Sequence, residues 1–322
     1  MKKAIITGIT GQDGSYLSEL LIEKGYKVYG ISRRNSVTEQ QSFQNKNPLN
    51  KAIDIEFADL TDMPSLSRII NLIKPDHLYN LAAQSHVRMS FEQPIYTSKT
   101  INEGTINLLE CIKSNSPKTK FYQAGSSEMF GNSIDSDGFQ RESTPMKPVS
   151  PYGCAKLFAY NIVRVYRKSY NIFASNGILF NHESPRRGID FVTSKIIRNA
   201  LLIKKGKKEK LTLGNLEARR DWGHAKDYVR AMELILNHNV ADDFVCAAGQ
   251  TKSVRDFAYY VFNKLDLPTN LIESSSKYLR PYDLKELKGD STKLKKETGW
   301  KPEYTFHEMI DEIIDYWDKT LN

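Results

Sequence analysis

The chain has 322 residues, 40% of them hydrophobic and 26% charged, with a formal net charge of +8 at pH 7. That suits a soluble α/β protein of one large unit or two lobes, with an anionic partner. No apolar run nears the roughly 20 residues that span a bilayer, and Ala4-Ile5-Ile6 is too short for a signal-peptide core, so a cytoplasmic protein with no membrane partner is expected.

Residues 4–7 are β-prone and lead into Gly8-Ile9-Thr10-Gly11-Gln12-Asp13-Gly14, followed by a helix-spaced segment from Ser15 to Lys24 with Gly25 as its stop. Strand, glycine turn and helix form the context of a dinucleotide site, here spaced G-x-x-G-x-x-G. Gly8 and Gly11 would let backbone approach a pyrophosphate, and Gly14 would allow close helix–strand packing. After the next strand, Lys27–Ser32, the place of the ribose-binding acid holds Ser32, then Arg33 and Arg34. Two guanidiniums there favour a 2′-phosphate, hence NADP over NAD. Residues 35–50 are polar and read as a long loop.

Alternation then resumes: a strand at 54–58, a helix to about 73, a strand at 76–81, a helix at about 98–115, and a strand at 121–125. This regularity predicts a Rossmann-type, doubly wound parallel α/β sheet. Ser126-Ser127-Glu128 falls at the carboxyl end of that last strand, where such sheets bind ligands. Ser150-Pro151-Tyr152-Gly153-Cys154-Ala155-Lys156 opens a helix to about Tyr170. Tyr152 and Lys156, four apart, share one helix face, and a nearby ammonium would favour the phenolate.

A strand at 173–180 precedes a polar loop at 181–188. Next come a helix at 190–204, a strand at 211–213 and a loop at 214–222, then helices near 226–236 and 254–264, a strand at 243–246 and a last helix at 307–319. This second part predicts a smaller C-terminal α/β lobe. Three of its loops carry Arg187, Arg219/Arg220 and Arg280, which would form an anion site if they converge. Lys204–Lys210 is a basic run between a helix and a strand, with no nucleic-acid motif beside it, so no nucleic-acid partner is expected. Cys111, Cys154 and Cys246 are odd in number and far apart, and the six histidines lack ligand spacing, so neither a disulfide framework nor a metal site is indicated.

Several blocks resemble the GDP-mannose 4,6-dehydratase family of extended short-chain dehydrogenases/reductases. They are Ile6–Leu17, Ala83-Gln84-Ser85-His86-Val87, Ser150–Gly153, Gly177–Gly188, and Leu213–Leu216 with Arg219–Tyr228. The resemblance implies a homodimer or homotetramer. It also implies an NADP-binding Rossmann domain over 1–180, to which part of 225–250 returns, and a GDP-sugar-binding lobe over 181–322. Tyr152, assisted by Lys156, would take the 4-hydroxyl proton, Ser126 would hold the 4-oxygen, and Glu128 would take the C5 proton before water leaves C6.

The cofactor would contact Gly8, Thr10, Gly11, Gln12, Asp13, Gly14, Arg33, Asp59, Leu60, Leu81, Ala83, Tyr152 and Lys156. The sugar nucleotide would contact Ser85, Asn181, Lys195, Leu213, Gly214, Arg220 and Arg280. Departures from the family pattern at Ala82, Gly125 and Tyr282–Lys285, and a short 266–275 segment, leave GDP-mannose and a GDP-manno-heptose both open. C4 oxidation, reduction or epimerisation of a GDP-sugar is the alternative chemistry.

Overall fold

The computed structural model describes residues 1–33, 52–279 and 281–321. Its strands are β1 (Lys3–Thr7), β2 (Lys27–Ser32), β3 (Ile53–Phe57), β4 (His77–Asn80), β5 (Lys120–Ala124), β6 (Ala174–Leu179), β7 (Asn181–Glu183), β8 (Leu211–Leu213), β9 (Arg219–His224), β10 (Asp243–Cys246), β11 (Thr251–Ser253), β12 (Ile272–Ser274) and β13 (Glu286–Leu287). Seven form one sheet in the order β10-β6-β5-β4-β1-β2-β3, and every pair in it is parallel. The order reverses between β1 and β4, which opens a crevice at the carboxyl ends of those strands. This is the Rossmann arrangement that the alternation predicts.

Helices cover both faces, so the central strands are buried throughout, as all-parallel sheets require. On one face Leu17 and Leu21, from helix Gln12–Glu23, share a core with Val229, Met232 and Leu236 of helix Ala225–Asn237. On the other, Leu66 and Ile70, Leu108 and Ile112, and Val163 join helices Met63–Ile73, Gly104–Asn115 and Pro151–Tyr170. The chain between 225 and 246 thus returns to the large sheet.

A separate core gathers Ile196 and Ile197 of helix Val192–Lys204, Phe257 and Phe262 of helix Val254–Lys264, and Ile310 and Ile313 of helix Phe306–Thr320. It packs beside the smaller sheet, β11-β9-β13 with β7 also paired to β9.

Two expectations change. The stretches read as loops at 181–188 and 214–222 contain β7 and most of β9. Their residues show no apolar alternation because their buried positions are polar and partnered: Asp221, for example, accepts from the amides of Ala248 and Gly249 at 2.8 Å. The helix expected over 98–115 starts earlier, as a short helix at Pro94–Ser98, then passes through a wide π turn at Lys99–Glu103. The expected 35–50 loop lies outside the described residues.

Below the crevice, a polar ladder crosses three strands. Thr7 donates its hydroxyl to Asn80 Oδ1 (2.7 Å), and Asn80 donates to Gln123 Oε1 (2.9 Å). Thr7 Oγ1 in turn accepts the amides of Leu81 and Ala82, each at 3.1 Å. One donor and two acceptor sites of a buried hydroxyl are thereby all used.

Candidate active site

At the carboxyl ends of β1, β4 and β5 lies a cleft of about 770 Å³. The glycine turn forms one wall. Gly8 adopts φ +70°, and a Cβ there would lie 2.9 Å from the amide of Ala82; one at Gly14 would lie 2.3 Å from Gly8 O. Both glycines are therefore required by neighbouring backbone, Gly14 by helix–strand packing as expected and Gly8 by the β4 end. A Cβ on Gly11 would meet only Gly8 O, at 3.2 Å, and is otherwise in the open. Gly11 caps helix Gln12–Glu23 with no side-chain hydrogen bond. The N–H groups and positive dipole end of that first turn suit an anionic diphosphate, so the turn fits a dinucleotide.

At the far end of β2, Arg33 donates to the Tyr96 hydroxyl at 2.6 Å. Asp59 accepts from the amide and hydroxyl of Thr61 at 2.9 and 2.8 Å. Burial opposes ionisation of Asp59, but those bonds and the charges of Arg33 and Lys99 hold its carboxyl below the usual range.

The reactive groups sit where β5 ends and the Pro151–Tyr170 helix begins. Ser126 caps the short turn Ser127–Phe130 by accepting the Glu128 amide at 3.2 Å. Ser150 caps the helix by accepting the Gly153 amide at 3.0 Å, with Pro151 in the first turn. Gly153 lets the two segments touch: a Cβ there would lie 2.8 Å from Glu128 O. Tyr152 is buried and hydrogen-bonded to Ser126; burial pushes its hydroxyl up to about 12, with Glu128 adding to the rise and Ser126 and Arg187 opposing it.

Lys156 donates to Ala124 O at 2.8 Å, with Nζ 5.7 Å from the Tyr152 ring centroid. Burial lowers its ammonium to about 8, against the pull of Asp13. Both groups are over nine-tenths buried, and desolvation is the largest cause of both shifts.

Every sequence-derived candidate within the described residues except Arg219 lines this cleft; Arg280 lies outside the described residues, as does Arg34. The arginine loops converge only in part. Arg187 and Arg220 reach the cleft, whereas Arg219 is exposed and interacts with Thr251 O and Glu286. Adjacent strand residues face opposite sides, so β9 can present only one of its two arginines inward. Arg220 donates to Leu284 O (3.0 Å) and Asp283 Oδ1 (3.3 Å).

The sequence reading missed Tyr96, His182, Glu183 and Asp283. His182 is the most telling. Its Nδ1 faces Phe180 O at 2.7 Å and its Nε2 faces Asp13 Oδ2 at 2.9 Å, two acceptors that call for an imidazolium. Burial opposes that charge, but Asp13 outweighs it and raises the histidine, while His182 and Arg187 hold Asp13 below its ordinary value despite its own burial.

Comparison with known proteins adds to this geometry. The family described as GDP-mannose 4,6 dehydratase matches residues 5–313. The GDP-mannose 4,6 dehydratase 2 of Arabidopsis thaliana is 48% identical over 98% of this chain and 86% of its own. The human GDP-mannose 4,6 dehydratase is 45% identical over 97% and 90%.

Among solved structures, the UDP-glucose 4-epimerase of Thermotoga maritima with UDP-glucose superposes with a TM-score of 0.88 at 24% identity, covering 99% of this chain and 100% of that one. A Bacillus anthracis dTDP-glucose 4,6-dehydratase with NAD gives 0.85 at 22% (99% and 97%), and RMD from Pseudomonas aeruginosa with NADPH gives 0.82 at 21% (99% and 100%). At these identities the structural likeness speaks for the fold.

Proposed function

The chain belongs to the GDP-mannose 4,6-dehydratase family and is a nucleotide-sugar 4,6-dehydratase, and from that premise we propose that it converts GDP-mannose to the 4-keto-6-deoxy sugar with NADP as its resident cofactor. The observation that carries the substrate is 45–48% identity to named GDP-mannose dehydratases over nearly the whole chain. For NADP over NAD the support is Arg33, held by Tyr96, with no Asp or Glu in the sequence from Lys24 to Thr38. The glycine turn would hold the diphosphate, Asp59 and Leu60 the adenosine end, and Lys156 the nicotinamide ribose. Ser85, Asn181, Lys195, Leu213, Gly214, Arg220 and Arg280 would hold the GDP-sugar.

When bound, the nicotinamide supplies the hydride acceptor for C4 and later the donor for C6, so it ends as it began. Tyr152 takes the proton of the 4-hydroxyl, and Lys156, by its charge, favours that transfer. Ser126 donates to the 4-oxygen throughout. Glu128 takes the C5 proton, acidic beside the new carbonyl, and passes it to the departing C6 hydroxyl, which leaves as water. Glu128 then relays a proton back to C5 as C6 is reduced, and the proton lost from the 4-hydroxyl balances it.

We also read the protein as a homo-oligomer. Phe158 and Val165, seven apart on helix Pro151–Tyr170, are 40% and 48% exposed, and Ile95, on the short helix Pro94–Ser98, is 81% exposed. An apolar stripe of this kind suits a second copy. A particle twice the chain's mass by light scattering, reduced to one by Phe158→Glu with Val165→Glu, is the expected result.

The reaction is tested by mass spectrometry of the products from GDP-mannose and a GDP-manno-heptose. Loss of one water from GDP-mannose with no net reduced cofactor is expected. Stoichiometric accumulation of reduced cofactor without water loss would make the protein a C4 dehydrogenase instead.

A further inference from the structure

One buried carboxylate in the cleft has no part in that chemistry. Glu183 is 2% exposed and lies two residues after Asn181 on β7, so the two side chains share the face opposite His182. Both line the cleft. Thr193 donates its hydroxyl to Glu183 Oε2 at 2.7 Å, and Arg187 Nε lies 3.1 Å from the same oxygen. The Arg187 contact is a charge contact without hydrogen-bond alignment, the guanidinium resting 3.7 Å over the Phe191 ring.

A donor and a cation on one oxygen fix the carboxylate as an acceptor. Among the described residues its other oxygen has no partner. That oxygen is not among the enclosed polar atoms left without a partner, so it meets the open cleft, where a ligand can donate to it. Glu183 and Arg187 line the same cleft as Asn181, Ser126, Glu128 and Tyr152, so the carboxylate borders the space that the sugar enters. There the ligand's donors are hydroxyl groups.

We propose that Glu183 is a specificity-determining residue of this dehydratase: its carboxylate, locked by Thr193 and Arg187, accepts hydrogen bonds from the sugar-ring hydroxyls that take no part in the reaction. This rests on the reading of the substrate as a GDP-hexose. It makes the protein select hexoses by the hydroxyls on C2 and C3 as well as by the reacting C4.

The test compares GDP-mannose with its 2-deoxy and 3-deoxy analogues, in turnover and in equilibrium binding by calorimetry, on the NADP-loaded protein. The native protein should prefer GDP-mannose to at least one analogue by about 10- to 100-fold, the range of a hydrogen bond to a charged group. In Glu183→Gln that preference should fall towards unity, with affinity for GDP unchanged. Thr193→Val, which frees the carboxylate without removing it, should give an intermediate loss and serves if Glu183→Gln does not fold.

An unchanged preference in Glu183→Gln, or equal loss on all three sugars, would overturn the proposal and leave Glu183 as a support for Arg187. If GDP-mannose binds but never loses water, the functional reading fails, while the binding comparison still decides the role of Glu183.

Discussion

At the residue scale, the groups that the sequence exposed best are those carried by short contiguous motifs. Ser126 and Glu128 follow one strand, and Tyr152 and Lys156 share one helical turn. Their electrostatics was less legible, because burial comes from residues far away in the chain. Tyr152 is pushed up to about 12 and Lys156 down to about 8, and both shifts arise chiefly from desolvation. Tyr152→Phe should cut turnover by about 10²- to 10⁴-fold, the range of a lost general base, with NADP affinity by calorimetry preserved.

The Lys156 ammonium is present below about pH 8 and lost above it. The rate should therefore fall as pH rises through that value. Lys156→Arg, whose guanidinium stays charged, should move this descending limb upward even where its absolute rate is lower; an unmoved limb would assign it to another group. Glu183 and Tyr96 gave no such signal. Tyr96 matters through Arg33, 63 residues away, which no local pattern encodes, and Glu183 sits in a stretch that reads as a polar loop rather than as β7.

At the element scale, the large sheet was readable because each strand and helix keeps its own period. The smaller sheet was not, because β7 and β9 are short strands whose buried residues are polar. The glycine turn shows how much an element can depend on a missing side chain. Gly14→Ala would drive a Cβ to 2.3 Å from Gly8 O, and backbone has nowhere to go. A loss of about 1–3 kcal/mol in urea unfolding is expected, together with weakened NADP binding. Gly11→Ala adds its methyl to the open side. It should leave the urea midpoint nearly unchanged and weaken NADP alone, and equal loss in both variants would show that Gly11 too is a packing glycine.

At the scale of the whole molecule, Asp13 and His182 tie the glycine turn to β7, and so the two parts of the chain to each other. Asp13 is held below its ordinary 3.8, so its contribution is present above that value and lost as pH falls through the lowered one. His182 is raised above its ordinary 6.5, so its contribution is full below 6.5 and lost as pH rises through the raised value. The pair therefore stabilises most between about pH 4 and 6.5. His182→Asn leaves Asp13 with only Gln12 and the charge of Arg187 to hold it ionised, and should cost about 1–3 kcal/mol in that window. The gap to the native protein should narrow at higher pH, measured by urea midpoints across the range. A gap independent of pH would mean that only packing was lost.

The Thr7–Asn80–Gln123 ladder has a consequence in time as well as in space. The amides of Leu81 and Ala82 both end on the Thr7 hydroxyl, so neither is released until β1 parts from the end of β4. In deuterated water these two protons should belong to the slowest-exchanging set, released only by global unfolding, although Leu81 and Ala82 border an open cleft. The cleft would then be a place where ligands come and go in milliseconds over a floor that opens, at most, once in hours.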